Sequence, residues 1–301
     1  MFTKVQIADR EFSNPIIAAS GCFGFGREYA KFYDLGALGG ISCKGLTLEP
    51  REGNFGCRVA ETPSGMLNCV GLQNPGVRAF VKDELPFMQQ YDTNIIANIS
   101  GFSEAEYIES VQIVSQSSVH MIELNISCPN VKNGGQSFGI EPKTIEHIVG
   151  AVKKVCKKPL IVKLSPNVSS IGDNAMACQN AGADAVSLIN TVGGMMVDIY
   201  TRRPVLGNIF GGLSGPCIMP IALKMVYEVF KRIKIPIIGM GGISSASDVI
   251  AFMLCGATAV QVGTANFSCP TAAFDIAKDL TIVMKKCKIN NILDIVGKLE
   301  V

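Results

Sequence analysis

Eight short runs of apolar and β-branched residues punctuate the chain. They are PIIAASG (15–21), GGISCKGLT (39–47), NIIANIS (94–100), MIELNIS (121–127), PLIVKLS (159–165), DAVSLIN (184–190), PIIGMGG (236–242) and TAVQVGT (258–264). Runs of this length, bounded by Gly, Pro, Asn or Ser, read as buried strands. Between most of them lie segments of helical periodicity, such as KTIEHIVGAVKKVC and PIALKMVYEVFKRI. Gly215-Pro216 precedes the second and makes a suitable helix entry. Eight strands alternating with helices predict an α/β fold, a single TIM (β/α)8 barrel filling residues 1–301 as one domain. An open doubly wound sheet is the structural alternative.

Two connections exceed a simple crossover: residues 48–93 after strand 2 and 191–214 after strand 6. Long ordered excursions in a compact barrel are usually functional loops. Both should leave the C-terminal face, where barrel enzymes keep their chemistry. The stretch KVQIADREFSNPI (4–16) reads as an N-terminal hairpin plugging the opposite end.

Composition narrows the class. Apolar residues make up 48% and charged residues 17% of the 301 positions, so a large core is available and disorder is not expected. A net charge of +2 without a basic run gives nucleic acid nothing to bind. Two His residues, His120 and His147, are too few for a His-based metal site. No apolar stretch approaches the ~18 residues of a membrane span, and the N-terminus lacks a signal-peptide pattern. Eleven cysteines without a C-x-x-C pair read as reduced thiols, so the expected compartment is cytoplasmic.

The ends of the predicted strands are unexpectedly polar. Strand 1 ends in Ser20-Gly21, strand 2 carries Lys44, and strand 3 contains Asn98. Strand 4 offers Asn125 and then Cys128, strand 5 Lys163, and strand 6 Asn190-Thr191. Buried polar groups need partners, so six such ends on one face describe a pocket for one flat, polar ligand. Strands 7 and 8 end in Gly239-Met240-Gly241-Gly242 and Gly263-Thr264. Tight turns alone could account for these glycines, but loops at these two positions commonly bind phosphate. Lys44 and Lys163 have no amphipathic face on which to snorkel, which favours buried cations facing a delocalised anion. Cys128 has two readings: core filler, or a thiol placed to act as a general base at the mouth of the barrel.

Taken together, ASGCFGFG (19–26), NCVGLQNPG (68–76), ELNISCPNVKNGGQSFG (123–139), VKLSPNV (162–168), INT (189–191), GGLSGP (211–216), GMGGI (239–243) and VGTANF (262–267) closely resemble dihydroorotate dehydrogenase. The NAD-linked (class 1B) catalytic subunits are the nearest subfamily. The resemblance implies a cytoplasmic, FMN-dependent oxidation of (S)-dihydroorotate to orotate in pyrimidine biosynthesis. By that resemblance Cys128 takes a proton from substrate C5 while hydride leaves C6 for flavin N5. Asn68, Asn125, Asn190 and Thr191 would bind substrate, with Lys44 nearby and backbone help from Cys69, Val70, Gly71 and Leu72. Ser20, Lys44, Gly45, Asn98, Asn125, Lys163 and Ile189 would contact the flavin, Lys163 at its N1–C2=O edge. Gly215, Gly241, Gly242, Gly263 and Thr264 would hold the ribityl phosphate, and residues 129–140 would form a lid.

The same resemblance implies a homodimer joined to two electron-transfer subunits carrying FAD and a [2Fe–2S] cluster. The chain has neither a ferredoxin-like Cys set nor a G-x-G-x-x-G fingerprint of its own. Fumarate-linked homodimeric enzymes are one alternative. Dihydropyrimidine dehydrogenases are another, less favoured because Asn130 stands where they usually carry His. A flavin-free barrel isomerase or synthase of a phosphorylated substrate is the alternative from a different class.

Overall fold

The computed structural model describes residues 1–126 and 138–301. Its centre is a closed barrel of eight parallel strands: β1 (Ile16–Ala18), β2 (Gly40–Ser42), β3 (Asn94–Ile99), β4 (Met121–Asn125), β5 (Leu160–Lys163), β6 (Ala185–Leu188), β7 (Ile237–Met240) and β8 (Ala259–Val262). The strands follow one another round the barrel in chain order, and β8 pairs with β1 to close it. Each lies inside one of the eight runs, and closure rules out the open sheet. Helices cover the outside and side chains fill the inside, so strand residues such as Ile16, Ile17, Ile95, Ile96, Ile161 and Val162 are all fully buried.

The outer layer contains α1 (Glu104–Ser115), α2 (Pro142–Val155), α3 (Ile171–Asn180), α4 (Met219–Phe230), α5 (Ala246–Leu254) and α6 (Ala272–Lys286). Serines fix three of the starts: Ser103, Ser170 and Ser245 accept the N–H groups of Glu106, Asp173 and Asp248. α2 buries Ile145, Ile148, Val149 and Val152, the i, i+3, i+4, i+7 stripe its sequence predicts. α4 begins later than the Gly215-Pro216 signal suggests, after a 3-10 turn at Pro216–Ile218. The reason is Pro220, which has no N–H to give the Pro216 carbonyl in a continuous helix. The first crossover has only 3-10 turns, at Tyr29–Lys31 and Leu35–Ala37.

The N-terminal hairpin pairs Val5–Ile7 with Arg10–Phe12 beneath the N-terminal ends of β2 and β3. Phe12 is fully buried there, and the Asn94 amide donates to the Glu11 carbonyl at 2.9 Å. At the other end the two long excursions merge. Val59–Thr62 and Gly65–Asn68 from the first join Val192–Gly194 and Gly211–Ser214 from the second in one four-stranded antiparallel sheet. Asn74 ties the first excursion back to the end of β2. Its carboxamide accepts from the N–H groups of Thr47 and Gly76 and donates to Thr47 Oγ1 and the Leu72 carbonyl. Among the described residues no helix is long and apolar enough to cross a membrane.

Two glycines make opposite predictions. A Cβ at Gly39 would stand 2.0 Å from the Asn14 carbonyl oxygen, backbone that cannot swing aside. Gly39→Ala should therefore destabilise the fold by about 1–3 kcal/mol. Gly150, inside α2, has nothing within 4 Å of the same position. Gly150→Ala should stabilise by about 0.5–1 kcal/mol through helix propensity. Thermal unfolding of the two variants should show shifts of opposite sign.

Candidate active site

A cavity of about 560 Å³ opens where the barrel strands end. Its floor and walls come from Ser20 after β1, Lys163 at the end of β5, Ile189, Asn190 and Thr191 after β6, Gly241 and Gly242 after β7, and Gly263 and Thr264 after β8. Gly215 and the hairpin residues Glu61, Thr62, Gly65 and Met66 lie over one side. The merged excursion sheet is thus part of the site wall. Half of the residues proposed from sequence meet in this one space.

Backbone contact explains two of the glycines. Gly242 has φ +79°, and a Cβ there would stand 2.8 Å from the Gly215 carbonyl oxygen. Gly215 has φ +105°, and its Cβ would stand 2.8 Å from Gly65 Cα. The loop after β7, the entry to α4 and the excursion hairpin therefore touch main chain to main chain, which no larger residue permits. Gly263 has space around it, and its Cβ would make ordinary contact with Cys22 and Ala19.

The other proposed residues that the structure describes do not line this cavity. Lys44 follows β2 and is partly buried, with its N–H donating to the Gly24 carbonyl. Burial pulls the Lys44 pKa below the usual lysine value; Cys22 opposes that shift and Lys163 adds to it. Cys22 lines the cavity, and burial raises its thiol to about 11 despite the two lysines. The Gly45 Cβ position lies 3.0 Å from Asn98 Oδ1 and 3.5 Å from Leu72 Cδ2, which places those three residues together. Asn125 opposes Lys163 across β4 and β5, and Tyr107 donates to the Asn125 carbonyl at 2.8 Å. The Asn68 amide donates to the Gly212 carbonyl at 3.3 Å, and a Gly212 Cβ would meet Thr191 Oγ1. Asn190 Oδ1 accepts from the Thr191 N–H at 2.8 Å. The loop Cys69–Leu72 is pinned by Asn54, whose side chain donates to the Cys69 carbonyl and whose N–H donates to the Val70 carbonyl. Cys128 lies outside the described residues, as does the expected lid from 129 to 137.

The strand-end reading missed a buried group one layer below. Glu123, in the middle of β4, is fully buried and accepts four side-chain hydrogen bonds. Ser42 Oγ and Asn98 Nδ2 donate to one oxygen at 2.7 and 2.6 Å. Ser187 Oγ and Gln261 Nε2 donate to the other, each at 2.7 Å. Burial alone would raise the Glu123 pKa. The Lys163 charge and the hydrogen bonds from Ser187, Ser42 and Asn98 outweigh it, and the group lies below the usual carboxylate range. Among the described residues Asn98 Oδ1, Ser100 Oγ and Gln261 Oε1 are buried without a hydrogen-bond partner. The signal for this ring was present in AVQVG, DAVSLIN and MIELNIS, each of which carries one polar residue inside the strand rather than at its end.

A closed barrel with a cavity at its strand C-termini, walled by both apolar and polar residues, defines a barrel enzyme. A family model described as dihydroorotate dehydrogenase matches residues 2–284. The chain is 52% identical over 295 residues to a protein of Alkaliphilus oremlandii, covering 98% of each. It is 51% identical over 301 residues to one of Caldicellulosiruptor bescii, covering 100% of each. It is 52% identical over 295 residues to one of Petrotoga mobilis, again covering 98% of each. All three bear the name dihydroorotate dehydrogenase B (NAD(+)), catalytic subunit. The chain belongs to the dihydroorotate dehydrogenase family, as the eight motifs predicted.

A carboxylate with a depressed folded pKa stabilises above its unfolded value, and that stability is lost as pH falls through the folded one. The stability difference between the wild type and Glu123→Gln should therefore hold steady above about pH 5. It should shrink as pH drops below the unfolded value of about 4.3. Calorimetric melts between pH 3 and 7 check this.

Proposed function

We propose that the chain oxidises dihydroorotate to orotate as the catalytic subunit of an NAD-linked enzyme, with FMN in the cavity and Cys128 as general base. The observation that carries this reading is the convergence of Ser20, Lys163, Ile189, Asn190, Thr191, Gly215, Gly241, Gly242, Gly263 and Thr264 on one cavity. These are the positions at which the resemblance expects flavin, substrate and phosphate to lie. The names of relatives about half identical over their full length support the choice of NAD over fumarate.

The residues fit FMN on structural grounds. A buried cation, Lys163, and buried acceptor oxygens on Asn98 and Gln261 suit a flat ring that carries both acceptors and a donor. The glycine-walled end, where a side chain would strike backbone, suits close approach of a phosphate. Bound there, FMN supplies the acceptor for the substrate's hydride. Lys163 contributes preorganised positive charge at the ring. Asn68, Asn125, Asn190 and Thr191 hold and orient the substrate, and the loop Cys69–Leu72 offers it main-chain groups. Cys128 removes the proton from the substrate carbon, and a general base of this kind contributes about 10²–10⁴-fold in rate.

A partner subunit carrying FAD and a [2Fe–2S] cluster would take the electrons onward, in an assembly of two copies of this chain and two of the partner. Supporting this, the relatives are named catalytic subunits. Dihydroorotate-dependent NAD reduction that requires an added iron–sulfur flavoprotein is the expected result. Full activity of the isolated chain with fumarate would overturn the NAD assignment, and a purified protein without oxidised-flavin absorbance would favour a flavin-free barrel enzyme.

Two substitutions test the site. Cys128→Ser should keep FMN and slow single-turnover flavin reduction by dihydroorotate about 10²–10⁴-fold at neutral pH; an unaltered rate removes Cys128 from the base role. Lys163→Ala should lower the potential of bound flavin, measured by spectroelectrochemical titration, and an unchanged potential contradicts the role given to Lys163.

A further inference from the structure

We propose that Glu123 is a positioning residue for the flavin site, fixing which atom of Gln261 faces the cavity and which atom of Asn98 faces Gly45, and tempering the charge that Lys163 presents there. The inference rests on the FMN reading above and adds Glu123, which that reading does not use.

The geometry begins with hydrogen-bond polarity. A carboxylate only accepts, so each group pointing at Glu123 must be a donor. Asn98 and Gln261 each turn their NH₂ toward it, at 2.6 and 2.7 Å. Their carbonyl oxygens must therefore face the other way. Both oxygens are buried with no partner among the described residues, and Gln261 lines the cavity. Left to itself an amide can present either end. Glu123 removes that choice, leaving the Gln261 acceptor at the cavity for a ring N–H donor and the Asn98 acceptor beside Gly45.

Charge gives the second part. Glu123 sits on β4 opposite Ile161, two residues before Lys163 on β5, so both side chains point into the barrel from adjacent strands. The attraction of Lys163 is one of the effects holding the carboxylate ionised. Lys163 also lines the cavity, whereas Glu123 lies beneath it with no exposed surface. The ligand therefore meets the cation directly and the anion from behind. Stability does not require this arrangement, because well-packed apolar residues often replace buried ion pairs without loss.

The test compares wild type, Glu123→Gln and Glu123→Asp for FMN affinity, by fluorescence quenching of the apoprotein, and for the two-electron potential of bound flavin. Glu123→Gln should weaken oxidised FMN binding, because its own NH₂ meets donors and forces amides to turn. With Lys163 uncompensated, it should favour the reduced over the oxidised flavin by about tenfold, equivalent to about 30 mV upward. Glu123→Asp keeps the charge and should hold the potential near that of the wild type while losing affinity. A potential unchanged in Glu123→Gln, or shifted equally in Glu123→Asp, overturns the proposal. Should Glu123→Gln fail to fold, Gln261→Leu removes one acceptor and leaves the carboxylate. Weaker FMN binding at an unshifted potential then supports the proposal, and unchanged binding overturns it. A wild-type chain that binds no FMN overturns the flavin reading and this one with it. A flavin-binding wild type indistinguishable from Glu123→Gln overturns this one alone.

Discussion

A carboxylate at the centre of the barrel, with no exposed surface, has to be satisfied by the barrel itself. Leaving an ion of this kind unpaired costs several kcal/mol. Here Glu123 on β4 draws donors from β2, β3, β6 and β8, and a cation from β5. Six of the eight strands are thereby tied to one point. Their register cannot slip by a residue without turning a donor outward and leaving the carboxylate unpaired. Below this layer the strands are aliphatic and hold the fold; above it they carry the site.

Above that point the excursions make the walls. Neither could do so alone, since each contributes two short strands and a two-stranded ribbon is marginal in water. Pairing Gly65–Asn68 with Gly211–Ser214 gives both a partner, and it brings Asn68 beside Thr191 although 123 residues of chain separate them. The glycines at 212, 215 and 242 are required where those segments meet, because a Cβ at each would strike Thr191, Gly65 or Gly215. The phosphate end and the substrate end of the proposed site are thus set by the same packing of main chain.

All eight barrel strands were legible because a parallel strand buried on both faces is a short apolar run, and its length and flanking Gly, Pro, Asn or Ser separate it from a buried helix. The hairpin 4–16 and the direction of both excursions were legible for similar reasons. The excursion sheet was not: VGG and GGLS have no alternation, and their pairing depends on residues far away in sequence. Pro220 delayed α4 because the Gly215-Pro216 signal marks a turn that proline opens, not the helix that follows. The ring around Glu123 escaped because attention to strand ends passes over a Ser or Gln flanked by Val and Ala. A fully buried Glu inside MIELN nevertheless demands partners, and searching the neighbouring strands for donors would have found them.

Three thiols come into question for the role of base: Cys22 and Cys269 at the cavity, and Cys128. Cys22 lies in the cavity wall with Lys44 and Lys163 close enough to favour its thiolate. Burial nevertheless raises it to about 11, so at neutral pH it is a neutral wall atom packed beside Gly263. Two cations therefore do not suffice to activate this thiol against the burial that opposes its charge. Cys269 also borders the cavity, but on the side of Gly263 and Thr264, where the phosphate rather than the substrate is proposed to lie. A thiol that is to exchange a proton with each substrate molecule needs partial access to solvent between turnovers. Cys128, the proposed base, comes three residues after Asn125 in the sequence and immediately before the stretch that the resemblance assigns to the lid. The resemblance thus proposes the base on a residue after the end of β4, apart from the strands that hold Lys163 and Glu123.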